Sequence, residues 1–145
     1  MPSRWGTTPR ESVAAECTRR GPSAVVAGCV RILTGDVDDD ALIRALGGPP
    51  AEPVLAGRYG GRTGYWPRVW AARGLSYVWS DDAVPALLAA TTDDAWRVRE
   101  MVAKVIAKHR VDDGLEAVLA LRGDPVPRVR TAAERAVRAL ASAGG

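Results

Sequence analysis

Apolar positions recur along the second half of the chain with the spacing of an α-helix. They follow one another at intervals of four, four and three residues in three stretches that begin at Pro67, Val98 and Val129, and this spacing lines one face of a helix. The three stretches align without a gap at an offset of 31 residues. A pair of aspartates and a shorter apolar run follow each of the first two stretches and predict second helices over 82–91 and 113–122.

Aligning the three copies at the offset of 31 residues places equivalent positions in columns. The residue types in each column predict which side of each helix is buried. The columns expected in the core are Pro67/Val98/Val129, Ala71/Val102/Ala133, Leu75/Ile106/Val137 and Val78/His109/Leu140. The columns expected on the opposite, solvent-facing side are Trp66/Arg97/Arg128, Val69/Glu100/Thr131 and Arg73/Lys104/Arg135.

An earlier copy of the same pattern appears once a gap is allowed. At an offset of 42, residues 24–34 align with 66–76, and the extra residues form a Gly/Pro-rich insertion at about 47–65. The sequence therefore predicts an all-α fold, an α-solenoid or superhelix of about four helix pairs in which the last pair is incomplete. We expect this solenoid over 22–145, after a tail or short helix over 1–21.

The repeat unit resembles HEAT repeats over about residues 22–142. The resemblance rests on Val98-Arg99 and Val129-Arg130 near the helix starts, on an aspartate a few residues before each, and on the Ala/Leu-rich second helix. The short period is similar to the phycobilisome-lyase type. The resemblance implies an armadillo-like helical architecture with a ladder of arginines bonded to aspartates or carbonyls of neighbouring turns. The ladder residues would be Arg68, Arg99, Arg130, Asp93 and Asp124. Arg62 stands where the aspartate before Arg68 would be, so the acidic partner that the resemblance would give Arg68 is missing from that position.

The composition limits the classes of binding partner and the cellular compartment that the sequence predicts. The net charge of +3 is modest, so it permits acidic partners without requiring them. Only two of the 20 basic residues are lysine, which indicates a GC-rich, bacterial genome. We expect Cys17 and Cys29 to be reduced, with Cys29 in the core. The absence of a secretion signal and of a long apolar segment predicts a cytoplasmic protein with no membrane contact.

The sequence contains no arrangement typical of an active site. His109 stands alone in an apolar column, so it is expected at the edge of the core. The acidic pairs at 81–82, 93–94 and 112–113 recur at predicted helix starts, which favours capping over metal binding. We therefore expect no enzyme, with no catalytic residue, no metal ligand and no cofactor. A role as an accessory subunit of an enzyme, such as a chromophore lyase, rests on the type of repeat alone.

One column of basic residues is expected to form a ridge opposite the core. Its members are Arg31, Arg73, Lys104 and Arg135, flanked by Arg97 and Arg128. Such a ridge is either a solvated face in an arginine-rich chain or a surface that follows the phosphates of a nucleic acid.

Aromatic residues concentrate around the insertion. Tyr59, Tyr65, Trp66, Trp70, Tyr77 and Trp79 all lie within 21 residues, beside Arg58 and Arg62. Arginine with aromatic side chains is the composition of interaction hot spots and of base-stacking surfaces. The same rings could instead fill a gap between the first two repeats. Arg58, Tyr59, Arg62, Tyr65 and Trp66 are the candidate binding residues here.

The shorter helices predict an apolar concave face, because alanines dominate them. That face would suit a peptide, a partner helix or a second copy of the chain. The leading hypothesis is therefore a protein-interaction adaptor or scaffold that uses the concave face and the aromatic insertion. Nucleic-acid binding through the basic ridge is the alternative.

Overall fold

The computed structural model describes residues 6–143, and these residues form nine α-helices. The helices are α1 (Pro9–Arg20), α2 (Pro22–Leu33), α3 (Asp40–Gly47), α4 (Ala51–Leu55), α5 (Trp66–Gly74), α6 (Val84–Ala89), α7 (Trp96–His109), α8 (Leu115–Leu121) and α9 (Pro127–Ala143). Short 3-10 turns lie at Asp81–Ala83, Ala90–Thr92 and Asp112–Gly114. Residues 1–5 of the predicted N-terminal segment and 144–145 of the predicted solenoid lie outside the described residues. The chain divides into two compact units between Ala83 and Val84.

The first unit contains α1 to α5. α1 begins with a capping box, in which the Thr8 hydroxyl accepts a hydrogen bond from the backbone N–H of Glu11 and the Glu11 carboxylate accepts one from that of Thr8. α5 packs against α2 and α3, and α1 packs against the same two helices. The largest fully buried side chains at these contacts are aliphatic: Ile32, Leu42, Ile43 and Leu75.

A charged network joins α1 to the start of α3 inside the first unit. Arg20 bonds both the buried Glu16 and Asp39, and the Asp39 carboxylate also accepts the backbone N–H of Leu42 at 3.0 Å. Asp39 therefore caps α3 as the sequence predicts for aspartates at helix starts. These bonds lower the pKa of Asp39, chiefly through the guanidinium of Arg20.

The second unit contains α6 to α9. α9 packs along α7 and α8 around a cluster formed by Ala103, Leu121, Val129, Ala132 and Ala133. Val98, Val102 and Ile106 are fully buried on α7, which confirms the predicted apolar columns there. Cys29 of the first unit is fully buried as well, as expected.

Three details of the sequence interpretation were wrong. Val69 is only 7% exposed and Glu100 only 9%, although their column was expected to face solvent; a helix between two neighbours is covered on more than one side. The aspartates at 81–82 and 112–113 lie within 3-10 turns, and the α8 N-cap has no side-chain hydrogen bond. The second helices, Val84–Ala89 and Leu115–Leu121, are shorter than predicted because these turns replace their first residues.

Candidate functional site

An open cavity lined by aromatic and proline side chains lies in the first unit, where α4 and α5 meet the segment between them. Its volume is about 460 Å³, and its walls are Pro50, Pro53, Val54, Tyr59, Trp66 and Trp70. We call it the aromatic groove. No charged side chain lines it, so it offers apolar contact rather than charge recognition.

The floor of the groove is Trp70, which is only 5% exposed. Its ring lies against the end of α3, where a Cβ added to Gly47 would stand 2.5 Å from it. The absence of a side chain at Gly47 therefore lets the ring lie this close to the helix. The Trp70 indole N–H makes no hydrogen bond to another described residue. Its nitrogen is partly accessible to solvent.

Trp66 forms one wall and stacks on the floor. Its ring centroid is 6.1 Å from that of Trp70 with 24° between the planes, and 5.1 Å from that of Tyr65. The sequence placed Trp66 on a solvent-facing column. It is instead half-buried and lines the groove together with Pro53 and Val54 of α4, a helix that the sequence did not predict within the insertion.

The segment that carries Tyr59 is held by hydrogen bonds at several points. The backbone N–H of Arg58 donates to the Pro53 carbonyl at 2.9 Å, and that of Gly61 donates to the Arg58 carbonyl at 2.9 Å. Arg62 reaches back to the first turn of α3, donating to Asp40 at 2.6 Å and to the Val37 carbonyl at 3.0 Å. The Gly/Pro-rich insertion is therefore a folded platform.

Arg62, which we expected to contact a partner, instead forms an ion pair within the first unit. Its guanidinium is occupied by Asp40, and this hydrogen bond lowers the pKa of the Asp40 carboxyl. Arg58, by contrast, is exposed and lies next to Tyr59 in the sequence. The structure thus separates the two arginines, one anchoring the platform and one at its surface.

Tyr59 stands at the rim of the groove and is 70% exposed. Its backbone lies in the left-handed region, at φ 54°, which is uncommon for a residue with a side chain. The Tyr59 hydroxyl bonds no other described residue. Strained backbone of this kind persists where the surrounding structure imposes it and is concentrated at functional sites.

The first-unit members of the predicted basic ridge do not form one surface. Arg31 is exposed, but Arg73 is half-buried and donates a hydrogen bond to the Leu46 carbonyl at 2.6 Å. The expectation that Arg73 faces away from the core was wrong, because its guanidinium satisfies a carbonyl near the end of α3. Burial lowers the pKa of this guanidinium.

The second-unit members lie around a hollow of about 240 Å³ between α7 and α9. Lys104, Arg128 and Arg135 line it together with Glu100. Glu100 binds Arg128 at 3.0 Å and Lys104 at 3.6 Å, which neutralises part of the basic surface. The guanidinium of Arg97 lies over the ring of Trp96 at 4.5 Å, and that of Arg128 lies at 5.3 Å from the same ring.

One arginine of the expected ladder, Arg99, joins two successive repeats, and Arg68 and Arg130 bond carbonyls of their own repeat. In the second unit, Arg99 grips the Asp124 carboxylate with two nitrogens, at 2.7 and 3.2 Å, and donates from its third to the Asp93 carbonyl at 2.8 Å. Arg130 donates to the Asp124 carbonyl at 2.8 Å, as Arg99 does to that of Asp93 one repeat earlier. Arg99 lowers the pKa of Asp124. In the first unit, Arg68 donates to the Gly64 carbonyl at 3.1 Å.

The ladder geometry agrees with the comparison to known families. A family model described as HEAT repeats matches residues 65–138, about half of the chain. The chain belongs to the HEAT-repeat family. No curated protein and no solved structure matches it. The family and the all-α class expected from the sequence are thereby confirmed.

The HEAT-repeat chain also exposes apolar side chains on α8. Leu115 is 43% exposed and Leu119 is 39% exposed, and residues four apart lie on the same face of a helix. The alanine content of the second helices pointed to an apolar face. It did not single out these two leucines, because the repeat alone does not tell an exposed leucine from a buried one.

Other chemistry is sparse in the part of the HEAT-repeat chain that the structure describes. Burial raises the pKa of the Cys29 thiol to about 12, which leaves it a poor nucleophile. No group of three or more potential metal ligands occurs among residues 6–143. No helix in the same range has the length and apolar composition needed to cross a membrane.

Proposed function

We propose that this HEAT-repeat protein is an interaction module that binds a protein partner through the aromatic groove. HEAT repeats generally act as protein-interaction scaffolds. The observation that carries the proposal is Tyr59, a highly exposed aromatic side chain held in the left-handed region at the rim of an apolar cavity. A rigid aromatic residue beside a preformed pocket is the usual composition of a binding hot spot.

The chemistry of the lining supports recognition rather than catalysis. Tyr59 is the one titratable side chain among the six, and it accompanies two prolines, a valine and two tryptophans. The lining contains no carboxylate, histidine, cysteine, serine or lysine, which are the groups that most often act as nucleophile or general base. HEAT-repeat proteins are typically non-enzymatic scaffolds, and the groove fits that role.

The exposed leucines on α8 supply a second contact surface. Leu115 and Leu119 would contact a partner on the second unit by themselves, or would mediate association between copies of the chain. Their removal would not affect a short peptide bound only in the groove of the first unit. The two surfaces can therefore be tested separately.

Peptide display tests the proposal directly. A random dodecapeptide library is selected on the immobilised wild-type protein, and the enriched peptides are then tested on Tyr59→Ala and Leu119→Ala. We expect enriched sequences whose binding depends on Tyr59 and not on Leu119. A selection that yields no Tyr59-dependent peptide would refute the groove as the binding site.

A second candidate function, binding to a phosphate backbone, is favoured by Lys104, Arg128 and Arg135 around one hollow of the second unit. Glu100 weakens this case because it is paired with two of the three cations. Duplex DNA titrated at salt concentrations from about 50 to 200 mM tests it, since each phosphate contact adds about 0.9 to the slope of log affinity against log salt. Absence of binding at the lowest salt would remove this function.

A further inference from the structure

We infer that the aromatic groove takes a proline-rich segment in the polyproline II conformation. The inference rests on the proposed function and specifies the chemistry of the partner. Three features of the groove carry it: walls of aromatic rings, hydrogen-bond donors without a partner in the described structure, and the absence of charge.

The walls match the surface of a proline. Extended proline-rich peptides bind grooves lined by aromatic rings, where the flat rings cover the apolar face of the pyrrolidine. Here Tyr59, Trp66 and Trp70 all line the cavity, and no charged side chain interrupts the lining. A segment with a charged side chain directed into this cavity would lose its hydration without a partner.

The donors match the backbone of the same ligand. A polyproline II helix has no internal hydrogen bonds, so all of its carbonyl groups are available as acceptors, while its prolines have no N–H to donate. The Trp70 indole N–H and the Tyr59 hydroxyl have no hydrogen-bond partner among the described residues. Both donors belong to residues that line an otherwise apolar groove, and this combination favours a ligand that offers mainly acceptors.

Two other ligands fit the groove less well. An amphipathic helix is about 10–12 Å wide and anchors side chains over several turns. This groove has only six lining side chains, which is too small a surface for several helical turns. A methylated ammonium group needs aromatic rings arranged around it as a cage. Trp66 and Trp70 instead stack on each other with centroids 6.1 Å apart, which leaves no space for a cation between them.

Neither the proline-rich peptide nor the groove would need to change conformation much on binding. Proline-rich segments already populate the bound conformation, so binding orders them at low entropic cost. The platform that carries Tyr59 is fixed by Arg62 and by its own backbone hydrogen bonds. Rigid surfaces on both sides reduce the ordering cost and suit a short, transient contact.

The test uses acetylated decaproline amide and the indole ¹⁵N–¹H spectrum of the full-length protein, which contains five tryptophans. We expect saturable shifts centred on the Trp66 and Trp70 signals. Affinity should fall at least about tenfold in Tyr59→Ala and by a smaller factor of about three in Tyr59→Phe, which keeps the ring but loses the hydroxyl donor. A Gly/Ser decapeptide and a helical Ala/Leu-rich peptide serve as controls and should leave both signals unchanged.

The inference is overturned if decaproline causes no saturable shift, or if either control peptide shifts the same two signals equally. Its failure differs from failure of the proposed function. Display-selected peptides that need Tyr59 but contain no proline would leave the protein-binding function standing and refute only the ligand class. A selection without any Tyr59-dependent peptide would refute the function itself.

Discussion

Replacing Tyr59 should separate binding from stability. Full burial of a tyrosine covers about 150–250 Å². Because 70% of Tyr59 is exposed, only about 45–75 Å² is covered here, which is worth about 1–2 kcal/mol at 25 cal/mol per Å². Tyr59→Ala should therefore cost at most about 2 kcal/mol of unfolding free energy while removing the rim of the groove.

The left-handed backbone of Tyr59 adds a second, sharper expectation. A residue with a side chain pays roughly 1–2 kcal/mol to adopt the left-handed conformation, and glycine does not. Glycine in turn lowers the stability of the folded state by about 0.5–1 kcal/mol relative to alanine, because its unfolded chain has more conformational entropy. Tyr59→Gly should therefore be more stable than Tyr59→Ala by about 0.5–1 kcal/mol. At an ordinary φ the alanine variant would be the more stable one.

Trp70→Ala is the matched contrast within the same groove. Its ring is almost completely buried, so truncation should cost about 3–5 kcal/mol. Urea unfolding followed by circular dichroism at 222 nm measures all three variants. A Tyr59→Ala loss as large as that of Trp70→Ala would show that Tyr59 fills a gap in the core. An alanine variant more stable than the glycine variant would refute the left-handed placement.

Two further predictions concern packing and charge. Gly47→Ala should cost about 1–3 kcal/mol of unfolding free energy, measured by urea unfolding, because the added Cβ would overlap the Trp70 ring. Gly123→Ala is the control: its added Cβ would lie 3.6 Å from the nearest atom, so stability should change by less than about 0.5 kcal/mol. Equal losses from the two substitutions would contradict the packing of Trp70 against Gly47. Asp124→Asn should cost about 2–4 kcal/mol near pH 7 because it leaves Arg99 poorly paired. Since the folded-state pKa of Asp124 is lowered, this difference should be complete above about pH 4 and shrink as acid protonates the wild-type carboxylate; a constant difference down to about pH 2 would contradict the pairing.

The repeat made the helices and their buried stripe predictable. α7 and α9 each contain all four apolar positions of the repeat, whereas α5 ends at Gly74, before Leu75 and Val78 of its stretch. Val98, Val102 and Ile106 of α7 are buried as expected. The aromatic cluster around Tyr59 was also visible in the sequence, because no other part of the chain is as rich in rings.

Features set by contacts between distant segments could not be predicted. Arg73 turns toward the Leu46 carbonyl because α3 ends beside α5, and nothing in its column indicates that neighbour. The glycines and prolines of the insertion suggested a loop and concealed the short helix α4. Trp70 reaches its place as the groove floor only because Gly47, 23 positions earlier, has no side chain.

The most direct test is the affinity of wild-type-selected peptides for matched variants of the two surfaces. Isothermal titration calorimetry with Tyr59→Ala and Leu119→Ala gives both dissociation constants under the same conditions. Binding through the groove predicts at least about tenfold weaker affinity for Tyr59→Ala, equivalent to about 1.4 kcal/mol, and an unchanged value for Leu119→Ala. Unchanged affinity in Tyr59→Ala, or a loss confined to Leu119→Ala, would contradict it.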